Sequence, residues 1–544
     1  MAARSSDSVK HLTLIACIMG SGIALLDGTV VNVALPTIQR ALGGGLAAQQ
    51  WVVNAYLLTL SSLILVGGSL GDLFGERRIF ALGASGFGAA SLACALAPTI
   101  GALVAARAVQ GVAGSLLVPS SLAVIVNTFP ESERGGAIGS WTAWGAIAGV
   151  LGPLAGGELL ALGSWRWLFM INIPFAVACV SLILFAIPRA APRRPDARRV
   201  DVPGGLLCAA GLAGPVFSLI EQPRLGLSSP AVIAPLVAGV ALLAAFTWHE
   251  SRARDPMLPL GLFRRRNFSA GNVETFSMYA GLAVLFFFLV LFLQQIGGYT
   301  PLQSGLATLP VTLIMFALSR RFGALADRFG PRLFMGGGPL VAACGLLLFQ
   351  RIGTHVDYVS EVFPGLLVFA LGLAMTVAPL TAAVLAGAEQ SQAGIASGVN
   401  NAIARVAGLL GTAAVGAAVA GSFSSALGGR LTGVRLGPLA HAAVHRATRL
   451  PLGRPDVRSL PTAQGRALTS AAEQASLQSF HLGMAIAAVL VAAGGVAGVV
   501  GIRNPRRRVL AEECPGGQLV GASREIAQSV ETGPPVAQPT GSRA

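Results

Sequence analysis

Gly68-Ser69-Leu70-Gly71-Asp72-Leu73-Phe74-Gly75-Glu76-Arg77-Arg78 is written again 255 residues further on, as Gly323-Ala324-Leu325-Ala326-Asp327-Arg328-Phe329-Gly330-Pro331-Arg332. Each copy fills a short polar gap between two long apolar runs. A polar, glycine-punctuated turn at matching points of two halves marks an internally duplicated membrane protein, and such repeats give transporters two bundles that rock about a central site. The question for this chain is what it moves.

Composition agrees. Of 544 residues, 54% are hydrophobic and 11% charged, where a soluble domain carries about 25% charged residues. The apolar residues come in runs of about 20, enough for a helix to cross a hydrocarbon core. Hydropathy windows predict fourteen spans, at roughly 12–35, 50–70, 79–97, 100–129, 137–160, 167–187, 203–220, 230–248, 268–293, 304–320, 333–349, 363–388, 396–423 and 480–502. The expected fold class is all-α and polytopic, with the lipid bilayer as solvent. The first run is too long for a signal-peptide core and should be retained. A net charge of +15 does not point to nucleic acid, because the basic residues are scattered through the gaps instead of being interleaved with aromatics on one domain.

Arginine sets the expected orientation. With the N-terminus cytoplasmic, the inner gaps hold seventeen arginines and the short outer gaps four, Arg40, Arg166, Arg224 and Arg351. An even span count then puts both termini inside a plasma (inner) membrane. The gap at 424–479 carries seven arginines on the outer side, which a loop of that length tolerates because it translocates largely regardless of charge.

Catalytic readings fail. Lys10 is the sole lysine, so neither a P-loop lysine nor a Schiff base is available, and energy must come from an ion gradient or a partner. Gly67-Gly68-Ser69-Leu70-Gly71 matches the nucleophile-elbow pattern but ends a predicted helix instead of joining strand to helix. The six cysteines show no paired spacing and read as packing residues. His441 and His445 share a helical face, more simply a solvated surface than a metal site. No enzyme, metal or cofactor is expected.

What remains are charges inside spans, which cost at least about 2.5–3.5 kcal/mol near the bilayer centre and persist where they are paired, hydrated or used. Asp27 and Arg107 lie at matching depths in the first and fourth spans, roughly 10–12 Å from the outer side at 1.5 Å per residue. A pair between them would lower the burial cost of both, and protonating the carboxylate would release the arginine; a static structural pair is the other reading. In the second half, Glu274 and Arg405 offer a second pair, or Glu274 is hydrated at the interface. The fifth span concentrates Gly145, Gly149, Gly152, Pro153, Gly156 and Gly157, a face on which backbones can approach closely and a bend is allowed. It suggests a sliding or sealing contact between bundles.

At these residues the chain resembles the major facilitator superfamily, in its fourteen-helix drug:proton antiporter branch. Leu26-Asp27-Gly28-Thr29-Val30-Val31-Asn32-Val33-Ala34-Leu35-Pro36 is similar to that branch's first-helix signature, 68–78 to its loop 2-3 signature, Arg107-Ala108-Val109-Gln110-Gly111 to its fourth-helix motif, and 145–157 to its antiporter motif. The resemblance implies a cytoplasmic tail (1–11), a six-helix bundle (12–188), a basic linker (189–202), two inserted helices (203–248), a second linker (249–267), a second six-helix bundle (268–502) carrying the outer loop 424–479, and a disordered cytoplasmic tail (503–544). It implies export driven by inward proton flow, coupled at Asp27 and Arg107 with Glu274 as a further candidate. Gly68, Asp72, Gly75, Arg77 and Arg78, with Asp327, Gly330 and Arg332 in the second half, would form the gating turns that close the cytoplasmic side. Asn32, Trp51, Asn54, Tyr56, Gln110, Trp144, Phe276, Tyr279, Asn401 and Arg405 would line the cavity.

One departure stands out. The family's thirteenth span often has Arg-Gln followed by Gly-Gly after paired asparagines, whereas here Asn400-Asn401-Ala402-Ile403-Ala404 precedes Arg405, displacing the arginine by about 100° around the helix. No acid lies in the tenth or thirteenth span, which favours neutral or singly charged amphipathic substrates. The expected function is a monomeric proton-coupled exporter of small amphipathic compounds; a non-transporting sensor or scaffold, or an uptake facilitator, is the alternative.

Overall fold

The computed structural model describes residues 6–187, 201–254, 256–386, 393–432, 434, 436–448 and 450–504. The arginines of the first linker (189–199) and the basic cluster Arg506 to Arg508 with its tail lie outside the described residues.

Among the described residues the chain is helical, with no strand. The helices are α1 (Ser6–Leu42), α2 (Leu46–Phe74), α3 (Glu76–Leu96), α4 (Ile100–Thr128), α5 (Glu131–Ala161), α6 (Trp167–Met170), α7 (Asn172–Ala186), α8 (Val202–Leu225), α9 (Pro230–Arg252), α10 (Arg266–Gln295), α11 (Pro301–Phe329), α12 (Pro331–Leu348), α13 (Phe363–Ala386), α14 (Ala393–Leu431), α15 (Pro438–Ala447) and α16 (Thr462–Gly501). Taking α6 and α7 as one crossing and leaving out α15, fourteen helices are long and apolar enough to span a membrane. Helix is the open-chain solution in lipid, because it satisfies every backbone N–H and C=O within the segment. Polar caps set several starts: Thr99 Oγ1 accepts from Ala102 N at 3.2 Å, and Thr300 with Gln303 forms a reciprocal capping box on α11.

The duplication is visible in the packing. In the first half α2 packs on α4, α3 on α4, α1 on α5, and both α1 and α3 on α7. In the second, α11 packs on α13, α12 on α13, α10 on α14, and both α10 and α12 on α16. Across the halves the principal contacts, α2 with α14 and α5 with α11, are related by the same exchange. The inserted hairpin α8–α9 leans on α2 and α14 through α8, where Trp51 Nε1 donates to Glu221 Oε1 at 3.0 Å.

The region 424–479 is not a free loop. α14 and α16 run through its two ends as rods of 39 and 40 residues, about 60 Å each against a hydrocarbon core of about 30 Å. Beyond the core they pack with α15 into a separate apolar cluster that includes Phe423, Leu427, Leu431, Ala443, Leu468 and Ala472. An alanine-rich amphipathic helix scores too low for a hydropathy window, which is why the expected last span began only at 480 although α16 starts at Thr462. His441 and His445 sit exposed on α15.

Candidate functional site: the central cavity and its charges

Between the halves lies a cavity of about 1640 Å³, larger than the roughly 300–1,000 Å³ of a drug-sized pocket. Its lining runs from Asn32, Tyr279 and Thr308 deep inside to Glu76, Asn127, Asp201 and Pro256, so it opens at the end of the bundle that carries the Gly75 turn. The opposite end is shut by contacts between the halves: Gln294 Nε2 donates to Val33 O at 2.9 Å and Gln295 Nε2 to Gln39 Oε1 at 3.1 Å.

The fifth-span glycines divide their work. A Cβ at Gly156 would meet Val30 Cγ2 at 2.7 Å, and Gly152 abuts Thr29 and Leu26, so both seat α5 on α1 within one half. Gly157 abuts Leu302, and a Cβ on Gly305 would meet Pro153 O at 2.7 Å, so these make the contact between halves. Gly149 has open space before it and, like Gly145 and Pro153, lines the cavity. The expected single face is therefore divided: Gly152 and Gly156 face α1, Gly145 and Gly149 line the cavity, and Pro153 and Gly157 meet α11.

Asp27 and Arg107 do meet, Arg107 Nη1 donating to Asp27 Oδ2. The two are 0% and 1% exposed. Asp27 Oδ1 accepts from Gln110 Nε2 and from Asn172 Nδ2, each at 3.0 Å, and both amides also reach Ser91 Oγ. Arg107 Nε donates to Val52 O at 3.0 Å, and its guanidinium carbon stands 4.3 Å from the centre of the Tyr56 ring. Tyr56 lines the cavity and donates to Ala24 O at 3.1 Å. The ion pair is thus one aromatic ring away from the cavity. Ser91 and Asn172 were missed in sequence because small neutral polar residues in apolar spans are common and carry little signal.

The second pair does not form. Glu274 is 0% exposed and faces α16, where a Cβ on Gly498 would meet its Oε2 at 2.8 Å. Neither of its oxygens has a hydrogen-bond donor among the described residues. It is therefore neither paired with Arg405 nor hydrated at an interface, because it points away from the cavity that Arg405 faces. Two other cavity candidates turn outward: Trp144 is 54% exposed on the bundle surface, and Trp51 packs with the inserted hairpin. Gln110 belongs to the Asp27 network, and Phe276 is half-buried outside the lining. Asn54 is buried, its Oδ1 accepting from Thr412 Oγ1 at 3.2 Å. Asn32, Tyr56, Tyr279, Asn401 and Arg405 line the cavity.

The two glycine turns have matching backbones. Gly75 (φ 92°) joins α2 to α3 and Gly330 (φ 86°) joins α11 to α12, a left-handed region that penalises any Cβ. Arg77 Nη2 donates to Leu184 O at 2.8 Å, and Arg332 Nε to Val499 O at 2.7 Å. Gly68 lines the cavity, Arg78 is exposed, and Asp327 lies half-buried in the last turn of α11. The side chain of Asp72 lies outside the described residues.

A cluster not read from the sequence sits at the cavity mouth. Asp201 Oδ1 caps α8 by accepting from Gly204 N at 2.9 Å and bonds His249 Nε2 at 2.7 Å. Glu250 Oε2 accepts from Leu258 N at 2.9 Å. Burial pushes the Asp201 carboxyl up, but the Gly204 N–H and the His249 ring outweigh it and hold Asp201 below its ordinary value.

A family model of the Major Facilitator Superfamily matches residues 17–412. A puromycin resistance protein of Streptomyces alboniger is 37% identical over 416 residues, 76% of this chain and 82% of that one. A tetracenomycin C resistance and export protein of Streptomyces glaucescens is 32% identical over 500 residues, 89% of this chain and 90% of that one. In fold, the chain is similar to a bacterial homologue of the human lysosomal transporter Spinster, solved in an inward-facing conformation, with a TM-score of 0.61 at 16% identity over 93% of this chain and all of the other. The duplicated bundles, the glycine turns and the cavity between the halves are those of a membrane transporter and not an enzyme, and the chain belongs to the major facilitator superfamily, in the drug-efflux branch of its resistance-protein relatives.

Proposed function

We propose that this protein is a proton-coupled antiporter that exports small amphipathic compounds across the plasma membrane by alternating access, as a monomer with both termini cytoplasmic and the proton gradient as its energy source. The Asp27–Arg107 pair carries this reading. Asp27 accepts from Arg107, Gln110 and Asn172, filling three of the about four acceptor positions of a carboxylate. Adding a proton cancels the charge that holds Arg107 and places a donor in a shell made of donors, so the pair loosens, and Arg107 presses on the Tyr56 ring that lines the cavity. Protonation and cavity shape are thereby tied. The open mouth then faces the cytoplasm, with α2–α3 and α11–α12 as the turns that close it. Glu274, sealed away from the cavity, takes no part in proton exchange.

Relatives named for puromycin resistance and for tetracenomycin C resistance and export support outward transport. The test is flux in proteoliposomes with an imposed pH gradient: substrate moving against proton flow, and abolished when the gradient is collapsed, is expected. Flux indifferent to the gradient points to a facilitator, and binding without flux to a sensor.

A further inference from the structure

The cavity holds a charge that the antiport reading does not use. Arg405 projects from α14 into it, about 18 Å along the helix from Ala393 at 1.5 Å per residue. Among the described residues, no hydrogen bond or ion pair ends on its guanidinium. Its electrostatic neighbours are Tyr56 and Tyr279, both neutral hydroxyls on the cavity wall. The other charged residues of the lining, Glu76, Asp201 and Arg254, lie at the mouth. There Glu76 accepts from Asn127 at 2.7 Å, and Asp201 is held by Gly204 and His249. Asp27 is engaged by Arg107 beyond the Tyr56 ring. Among the described residues, the deep chamber therefore carries one guanidinium and no anion to balance it.

A charged side chain at this depth of a span is rare, faces the interior or a cavity, and marks a site that uses it. The walls around it are apolar and aromatic, including Phe286, Phe287 and Met315. We propose that Arg405 reads the substrate: the exported compound is a monoanion, an apolar or aromatic body bearing one acidic oxygen group, a carboxylate or an ionised phenol, that pairs with the Arg405 guanidinium. Planar, two-oxygen acceptors suit arginine because its fork donates two parallel hydrogen bonds. The inference rests on the exporter reading for its direction of transport but not for its binding chemistry.

The test uses the full-length protein in detergent and two matched probes, dansylglycine, an acid, and dansylglycinamide, its neutral amide, read by dansyl fluorescence without any pH gradient. Wild type should bind the acid more tightly. Arg405→Gln should weaken the acid by roughly tenfold to a hundredfold, the loss of one charge-assisted pair, and leave the amide unchanged; Arg405→Lys should fall between. Equal binding of acid and amide by wild type, absence of saturable acid binding, or equal loss of both probes in Arg405→Gln overturns the proposal. Because no flux is measured, this result stands apart from whether the protein is an antiporter. Proton-driven flux of a neutral compound only would sink the substrate class and leave antiport intact.

Discussion

Arg77 and Arg332 do the same thing in the two halves: each follows a left-handed glycine and donates to last-turn carbonyls of its bundle's final helix, Ile183 and Leu184 for Arg77 and Val499 for Arg332. A cation at a helix C-terminus also complements the macrodipole. Removing Arg77 should lower stability by up to about 1.5–3 kcal/mol, the range for hydrogen bonds to a charged group, and removing the more exposed Arg332 by less. Arg78→Ala, at an exposed site, is the control. Thermal unfolding of purified Arg77→Ala, Arg332→Ala and Arg78→Ala checks this, and equal midpoints for all three would show that the arginines do not tie the turns down.

Asp27→Asn should insert and fold yet lose proton-driven efflux, since the amide cannot titrate and its NH2 competes with the surrounding donors. Arg107→Ala should be more damaging than Arg107→Lys, because stranding a buried carboxylate costs about 3–5 kcal/mol. Efflux per folded molecule in energised vesicles reads both. Wild-type rates in Asp27→Asn, or identical losses in the two arginine variants, would remove the pair from the coupling step.

Gly157→Leu should prevent the outer contact from closing, because Leu302 occupies the space its side chain would need. Overpacking of this kind costs about 1–3 kcal/mol, which should shift the protein toward the outward-open state. Gly149→Leu should instead fill part of the cavity, weakening substrate binding without moving that equilibrium. Alkylation of Gln294→Cys from the outer side distinguishes them: faster in the first variant, unchanged in the second.

Glu274→Gln should transport at wild-type rate with an unaltered pH profile, because neither carboxylate oxygen has a donor to lose. A shifted profile would restore Glu274 as a proton site.

The Asp201 cap should make the foot of α8 sensitive to acid. A carboxylate held below its ordinary value contributes stability that is fully present above that value and is lost as pH falls through the lower, folded one. Wild type should therefore lose thermal stability on acidification through that window, and Asp201→Asn, which can still cap, should show a flatter acid limb. Parallel curves would refute the linkage.

Sequence alone reached the fourteen spans and the Asp27–Arg107 pair because both rest on quantities a linear reading carries: the length of apolar runs and the depth of a rare charge. It failed where azimuth decides. Glu274 and Arg405 have compatible depths but sit on different faces, so one is sealed against α16 and the other enters the cavity. Trp144 and Trp51 were chosen as amphipathic aromatics, and that chemistry suits lipid or the inserted hairpin as well as a substrate. The Asp201–His249–Glu250 cluster joins the start of α8 to the end of α9 and the linker beyond, a meeting that only the hairpin creates.

The cluster that binds α14, α15 and α16 beyond the membrane works as a splint. Two rods lashed at their outer ends can tilt as a block but cannot shear past each other. On the first half, α5 ends at Ala161 and α6 begins at Trp167, too short a join to brace anything. The helices that meet across the halves, α5 and α11, lie outside this splint and carry Pro153 and Pro310 within the helix. The two halves share a design, but only the second carries a brace of this kind.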